Sequence, residues 1–112
     1  MKHVALAVVG VAFLWTAALA AQDPKQVDAG KQLFSAKGCP KCHQIAGKGN
    51  KVNKLDGVAS KLSEAEMRHW LTAPAEMEAK LDHKAKITMS SKKVSLKTAE
   101  VDALIAFLQT LK

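Results

Sequence analysis

The sequence contains only two cysteines, Cys39 and Cys42, and no second pair to accompany them. A structural zinc site therefore lacks half of its usual ligands, and His69 and His83 are not in the His-x3–5-His spacing that would replace them. A thioredoxin-like redox pair needs strands around it, and strand patterns are not evident in this sequence. A small disulfide between the two cysteines stays open as an alternative.

Motifs of the common enzyme classes are also missing. The chain shows no Ser-His-Asp pattern, no glycine-rich phosphate loop and no paired carboxylates, so no catalytic constellation stands out. It has no internal repeat or low-complexity tract, and its 112 residues suggest a single domain. Acidic residues are scarce, ten against seventeen Lys and Arg, which gives a formal net charge of +7.

The first twenty residues are typical of a secretory signal. Val4–Trp15 is apolar, and Ala18-Leu19-Ala20 supplies the small-x-small cleavage site. An uncleaved membrane anchor is the alternative, because Val4–Ala21 is an uncharged stretch of 18 residues. We predict a signal peptide over residues 1–20, export to the periplasm, one domain over residues 21–112 and no stable membrane insertion after cleavage.

The most specific motif of the chain is Cys39-Pro40-Lys41-Cys42-His43. The pattern C-x-x-C-H is the attachment signature of a c-type haem. Two thiols at this spacing can both add to the vinyl groups on one edge of a porphyrin, and the following histidine is carried under the ring, where it can ligate the iron. The motif predicts one covalently bound haem c, attached through Cys39 and Cys42, with His43 as the proximal iron ligand.

Amphipathic segments before and after this motif predict short helices. Their apolar residues repeat at helical spacing, and Ser63 opens one of them with a capping box that includes Glu66. Gly30 lies in the middle of the first helix, where it favours the close approach of another helix. We predict helices over Gln26–Lys37, from Ser63 to the break at Ala73-Pro74, over Pro74–Leu81 and over Thr98–Leu111, with loops over Gln44–Gly57 and Asp82–Lys97.

With these segments in place, the mature chain resembles a small class I cytochrome c, a monohaem c-type cytochrome. Ala29–Phe34, ahead of the cysteine motif, is similar to the N-terminal helix of that family, and Val101–Leu111 is similar to its C-terminal helix. The resemblance implies an all-α fold of about four short helices packed around one covalently attached haem. It also implies that the N- and C-terminal helices cross, with Gly30 against Phe107.

The resemblance further implies a methionine on the side of the iron opposite His43, from the loop before the last helix. Met89 occupies that position, although Ser90 follows it where the family often has proline. Other side chains that could ligate the iron remain open as alternatives: Met67, Met77, His69 and His83.

The segment after the motif also departs from the family. Val52-Asn53-Lys54-Leu55 stands where the family often has Gly-Pro shortly before a leucine. In the family the proline carbonyl holds the ring of the proximal histidine. We expect a backbone carbonyl near Val52 to accept the proton of the His43 ring instead.

The resemblance implies an electron carrier, not an enzyme, which shuttles single electrons between redox partners. A haem enzyme with a displaceable sixth ligand and an electron-transfer subunit of a larger respiratory complex are the alternatives. Nucleic acid binding is not expected of an exported protein, despite the net positive charge. We expect redox partner proteins with acidic docking patches, attracted by the lysines that flank the motif or Met89: Lys37, Lys41, Lys48, Lys51, Lys54, Lys84, Lys86, Lys92 and Lys93.

Overall fold

A computed structural model describes residues 23–83 and 85–112. The predicted signal peptide, residues 1–20, lies outside the described residues, as does Lys84. The described chain is mainly helical, which confirms the predicted fold class. Its elements are α1 (Pro24–Ala36), β1 (His43–Ile45), β2 (Lys48–Gly49), β3 (Asn53–Lys54), α2 (Val58–Lys61), α3 (Glu64–Thr72), α4 (Pro74–Glu78) and α5 (Thr98–Leu108), with 3₁₀ helices at Cys39–Lys41 and Ser90–Lys92.

Helix α1 packs across α5, as the resemblance implies. Gly30 is buried at the crossing, and a Cβ there would lie only 2.8 Å from the Cβ of Phe107. Phe34 and Phe107 meet edge to face, with ring centroids 5.9 Å apart, and Leu104 completes this cluster. Burying each such side chain stabilises the fold by about 1.5–3 kcal/mol. The glycine therefore permits the contact from which the core is built.

A second part of the core lies between α3 and α5. Met67 is buried there with Val101, Ile105 and Leu108, and Leu62 packs against the same group. Ser63 begins α3 as predicted: its Oγ accepts a hydrogen bond from the backbone N–H of Glu66 at 3.1 Å. Helix α5 thus contributes to both clusters, which explains why Ala103–Leu108 is buried throughout.

The prediction of a loop over Gln44–Gly57 is wrong, because this segment holds most of a small three-stranded sheet. Its order is β2-β1-β3, with β1 antiparallel to β2 and parallel to β3. Ala46 and Gly47 form the two-residue turn between β1 and β2, and both have positive φ, 51° and 78°. The strands are only two or three residues long, which explains why no alternating pattern is visible in the sequence.

Helix boundaries differ from the predicted ones mainly at carboxyl ends. Helix α4 ends at Glu78, three residues before Leu81, and α5 ends at Leu108. The short helix α2 was not predicted; it follows Gly57, whose φ is 75°. Within residues 23–83 and 85–112, no helix combines the length and apolar character needed to cross a bilayer.

Candidate functional site

The two cysteines lie at either end of a tight turn that follows α1. Gly38, with φ of 76°, ends the helix and leads into the 3₁₀ helix Cys39–Lys41. Cys39 is half-buried and packs against the cluster that contains Phe34. Burial raises the pKa of the Cys39 thiol, and the neighbouring Cys42 raises it further. Both thiols are free, so the structure does not form the small disulfide that the sequence left open.

His43 follows as the first residue of β1, the central strand of the sheet. Its Nδ1 atom is buried and makes no hydrogen bond. Burial lowers the pKa of the imidazole, and the backbone of Asn53 opposes this shift. The ring is therefore favoured in its neutral form, the form in which histidine ligates metals. The expected hydrogen bond from this ring to a carbonyl near Val52 is therefore not formed at Nδ1 in the described chain, although the backbone of Asn53, the partner of His43 in the sheet, lies close enough to affect the pKa.

Asn50 holds the cysteine turn against the sheet, which sequence reasoning missed. Its backbone N–H donates to the carbonyl of Pro40 at 3.0 Å, and its side-chain amide donates to the carbonyl of Lys41, also at 3.0 Å. The side-chain oxygen of Asn50 accepts from the backbone N–H of Val52 at 3.0 Å. One residue thus joins the attachment motif to the start of β3.

Gly49, in β2, permits the close pairing of β2 with the strand that carries His43. Its φ is 102°, and a Cβ there would overlap the backbone carbonyl oxygen of His43. On the other side, Asp56 accepts a hydrogen bond from the N–H of Ala46 at 2.8 Å. The strand that carries His43 is therefore fixed at both ends, by contacts that have no periodic signature in the sequence.

Met89 lies 46 residues beyond His43 in a separate segment. It immediately precedes the 3₁₀ helix Ser90–Lys92 and is half-buried. In the described part of the chain, no hydrogen bond joins this segment to Cys39–His43. The structure therefore brings Cys39, Cys42 and His43 together by sequence proximity and places Met89 on a separately anchored loop.

That anchor is Glu78, the last residue of α4. Its two carboxylate oxygens accept from Ser90, one from the backbone N–H at 2.8 Å and one from the hydroxyl at 2.6 Å. The Ser90 hydroxyl, the Ser90 N–H and the Met89 backbone hold the pKa of Glu78 below its usual range. A charged carboxylate therefore faces the residue next to Met89.

The alternative ligands occupy different environments. Met67 is 3 % exposed in the core between α3 and α5, and its thioether is used in packing. The Nε2 atom of His69 lies 2.6 Å from a carboxylate oxygen of Glu76. Met77 is half-buried on α4, and His83 is exposed. Met67 and His69 are thus engaged elsewhere.

The lysines around these segments are not equivalent. Lys37 forms an ion pair with Glu100 at 3.2 Å and donates to the carbonyl of Ser95, also at 3.2 Å, so it braces α1 against the start of α5. Lys84 lies outside the described residues. The remaining members of the set are exposed: Lys41, Lys48, Lys51, Lys54, Lys86, Lys92 and Lys93.

The donor set suits a haem better than a bare metal ion. Among the described residues, no group of three or more His, Cys, Asp and Glu side chains converges on one point. Two free thiols and a neutral imidazole with an orphaned buried nitrogen instead occupy one continuous segment. These are the groups that covalent attachment and proximal ligation of a haem require.

Comparison with protein families gives one finding. A model described as Cytochrome c matches residues 27–112, from the first turn of α1 to the last residue of the chain. Neither the comparison with curated proteins nor the comparison with solved structures gives a match.

Proposed function

The chain belongs to the cytochrome c family, which binds covalently attached haem c and generally transfers electrons, and from this premise we propose a monohaem electron carrier with His43 and Met89 as axial ligands. One observation carries the proposal. The free thiols of Cys39 and Cys42 and the half-buried imidazole of His43 share one segment, which Asn50 and the sheet hold in place. That arrangement matches the demands of a fixed, covalently held redox centre.

We assign the two thiols to the thioether bonds and His43 to the proximal side of the iron. Because Nδ1 of His43 is buried in the protein, Nε2 is the nitrogen assigned to the metal. Met89 would supply the distal thioether, and a thioether ligand raises the reduction potential relative to a second histidine. When bound, the haem would supply a one-electron couple. His43 and Met89 would hold its iron and leave no position for a substrate, which favours electron transfer over substrate binding.

The exposed lysines support a partner with an acidic docking surface. Lys41, Lys48, Lys51 and Lys54 surround the attachment segment, and Lys86, Lys92 and Lys93 flank Met89. Positive charge at such positions would accelerate encounter with an acidic redox protein. Lys37 has no part in this proposal, because Glu100 and Ser95 already hold its ammonium group.

We also propose that the chain is exported and works in the periplasm. The support is the sequence of residues 1–20 and the need of a c-type haem for attachment outside the cytoplasm. Cell fractionation and N-terminal sequencing of the purified protein test this location. A mature N terminus at Ala21 is expected, and a chain that keeps Met1 in the membrane fraction would contradict it.

The first experiment tests attachment and ligation in the exported protein. Haem staining after denaturing electrophoresis should detect covalent haem, and the stain should be lost when Cys39 and Cys42 are both replaced by alanine. The ferric protein should show the weak near-infrared charge-transfer band implied by resemblance to methionine-ligated cytochromes. Met89→Ala should abolish that band, whereas Met77→Leu should keep it. A chain without covalent haem would overturn the proposal.

The second experiment separates a carrier from a haem enzyme. We expect the ferrous protein to resist carbon monoxide, because Met89 would fill the sixth position. Electron transfer should be fast with both an anionic hexacyanoferrate and a cationic cobalt phenanthroline complex. Rising ionic strength should slow the anionic reaction and speed the cationic one. Rapid carbon monoxide binding would contradict the carrier assignment.

Charge reversal then tests the lysine surface. Lys48→Glu with Lys51→Glu should slow the reaction with the anionic complex, because both lysines are exposed beside the attachment segment. Lys25→Glu with Lys31→Glu is the matched control, since it makes the same charge change at exposed positions on α1. Equal effects of the two double variants would show that net charge alone matters and would contradict a localised docking surface.

A further inference from the structure

Glu78 is hydrogen-bonded to the residue that follows Met89, the proposed distal ligand. It is the last residue of α4, and both of its carboxylate oxygens accept hydrogen bonds from Ser90, twelve residues away, at 2.8 and 2.6 Å. Ser90 is the immediate neighbour of Met89. A carboxylate that binds one residue through two donors restricts both its position and its orientation, and bonds to a charged acceptor are the stronger kind.

The other hydrogen bonds around Met89 are internal to its own loop. Thr88 and Ser91 bond to each other through their side chains and backbones, at 2.7–3.3 Å. The Met89 carbonyl accepts from the N–H of Lys92 at 3.1 Å. These contacts fix the shape of the turn, but they do not fix where the turn lies relative to the rest of the protein.

Among the described residues, only Glu78 ties this turn to a helix by hydrogen bonds. Between Ala85 and Val94, the hydrogen bonds of the described chain that leave the segment all end on the Glu78 carboxylate. The contact also depends on the residue after Met89 having an N–H, which serine has and proline lacks. The hydrogen bonds that place Met89 relative to the helices therefore come from α4.

We propose that Glu78 is a positioning residue that holds Met89 at the sixth coordination site and so controls how readily an outside ligand can replace the thioether. The inference rests on the proposed function, because it requires Met89 to be the distal ligand. Removing the carboxylate leaves the ligand intact and frees the loop that carries it. Exchange of the distal ligand should therefore become easier without any change in the proximal half of the site.

The test uses the ferric holoprotein and imidazole as the probe of the sixth site. Imidazole affinity and binding rate are measured from the Soret absorbance for wild type, Glu78→Ala, Glu78→Gln and Ser90→Ala. We expect Glu78→Ala to bind imidazole roughly tenfold to hundredfold more tightly, because both anchoring bonds to a charged group are lost. Glu78→Gln and Ser90→Ala each keep part of the contact, so intermediate affinities are expected.

Glu76→Ala is the matched control. Glu76 lies on the same short helix and pairs with His69, and in the described part of the chain it makes no hydrogen bond to Ser90. Its imidazole affinity should equal that of wild type. If Glu78→Ala does not yield holoprotein, the Gln and Ser90 variants give the same readout with a milder change.

The outcomes distinguish a failure of the proposed Met89 ligation from a failure of the role assigned to Glu78. If Met89→Ala leaves the near-infrared band unchanged, Met89 is not the ligand and the proposed ligation itself fails. If Met89→Ala abolishes the band but the Glu78 variants bind imidazole as weakly as wild type, only the role of Glu78 is overturned. A lower melting temperature of the Glu78 variants with unchanged imidazole affinity would show a purely structural role, which also contradicts the proposal.

Discussion

The backbone of Gly30 lies directly against the carbonyl group of Ala103, so that a Cβ on Gly30 would overlap the Ala103 oxygen. This contact sets the separation of α1 and α5 at their crossing. We predict that Gly30→Ala forces the two helices apart and loosens the packing of Phe34 on Phe107. The net loss should be about 2 kcal/mol of unfolding free energy, after the gain in helix propensity is subtracted. Urea unfolding followed by circular dichroism measures it.

The neighbouring Ala29 supplies the control for this change. It is exposed on α1, so Ala29→Gly alters helix propensity without touching α5. We expect a loss of no more than about 1 kcal/mol there. A Gly30→Ala variant as stable as wild type would show that the crossing tolerates a wider separation than the contact implies.

Gly49→Ala should damage the strand that carries His43. The substitution combines a positive φ of 102° with an overlap on the His43 carbonyl oxygen. We expect a loss of about 2–3 kcal/mol and a smaller fraction of protein with covalent haem, measured by urea unfolding and haem staining.

Gly47→Ala separates the effect of backbone strain from the effect of the steric overlap in the Gly49→Ala variant. Its φ is 78°, and an added Cβ meets no atom within 4 Å, so only backbone strain is introduced. That strain should cost about 1–2 kcal/mol. If both variants lose the same stability and attach haem equally well, the overlap at Gly49 has no effect.

Asn50→Ala should weaken the bridge between the cysteine turn and β3. The variant loses the bonds to the Lys41 carbonyl and the Val52 N–H but keeps the backbone bond to Pro40. We expect a loss of about 1 kcal/mol, because the bridge is exposed to solvent. Asn53→Ala, whose backbone pairing with β1 is preserved, is the comparison and should lose less. Denaturant midpoints of the two holoproteins decide the matter.

The ion pair at the start of α5 predicts a pH dependence of stability. The N–H of Lys97 and the ammonium of Lys37 lower the pKa of Glu100. Its contribution is therefore fully present above the ordinary pKa of a glutamate and is lost as pH falls through the depressed value. Thermal melts between about pH 7 and pH 3 should show a shallower acid decline for Glu100→Gln than for wild type. Parallel declines would contradict this.

Local signals in the sequence were sufficient for the attachment motif and for α1, α3 and α5, but not for the short helix α2. The cap at Ser63 involves residues only three positions apart, and the apolar residues of Val101–Leu111 repeat every three or four positions. Both signals therefore predict their helices, α3 and α5, without knowledge of the fold. The role of Gly30 was predictable in a different way. Glycine destabilises the interior of a helix, so its presence there indicates that another helix approaches closely. The resemblance then placed Phe107 opposite it, and the structure confirms the crossing.

The parts that the sequence did not reveal depend on contacts between separate segments. The strands around His43 are too short for a periodic pattern, and the turn at Ala46 uses a residue that rarely adopts positive φ. The bond between Glu78 and Ser90 joins residues twelve positions apart on a helix end and a loop. Lys37 was expected on the docking surface, but its partner Glu100 lies 63 residues away. Each of these contacts is set by the three-dimensional fold and leaves no local signal in the sequence.

The two helices that build the core come from opposite ends of the described chain. A ribosome completes Cys39-Pro40-Lys41-Cys42-His43 long before it reaches Thr98, where α5 begins. Until that helix exists, Phe34 lacks the ring of Phe107, and the cluster beside Cys39 lacks Leu104 as well. Before residues 98–108 have folded, the chain therefore lacks most of the cluster against which Cys39 packs, so burial of that thiol depends on the last helix of the sequence.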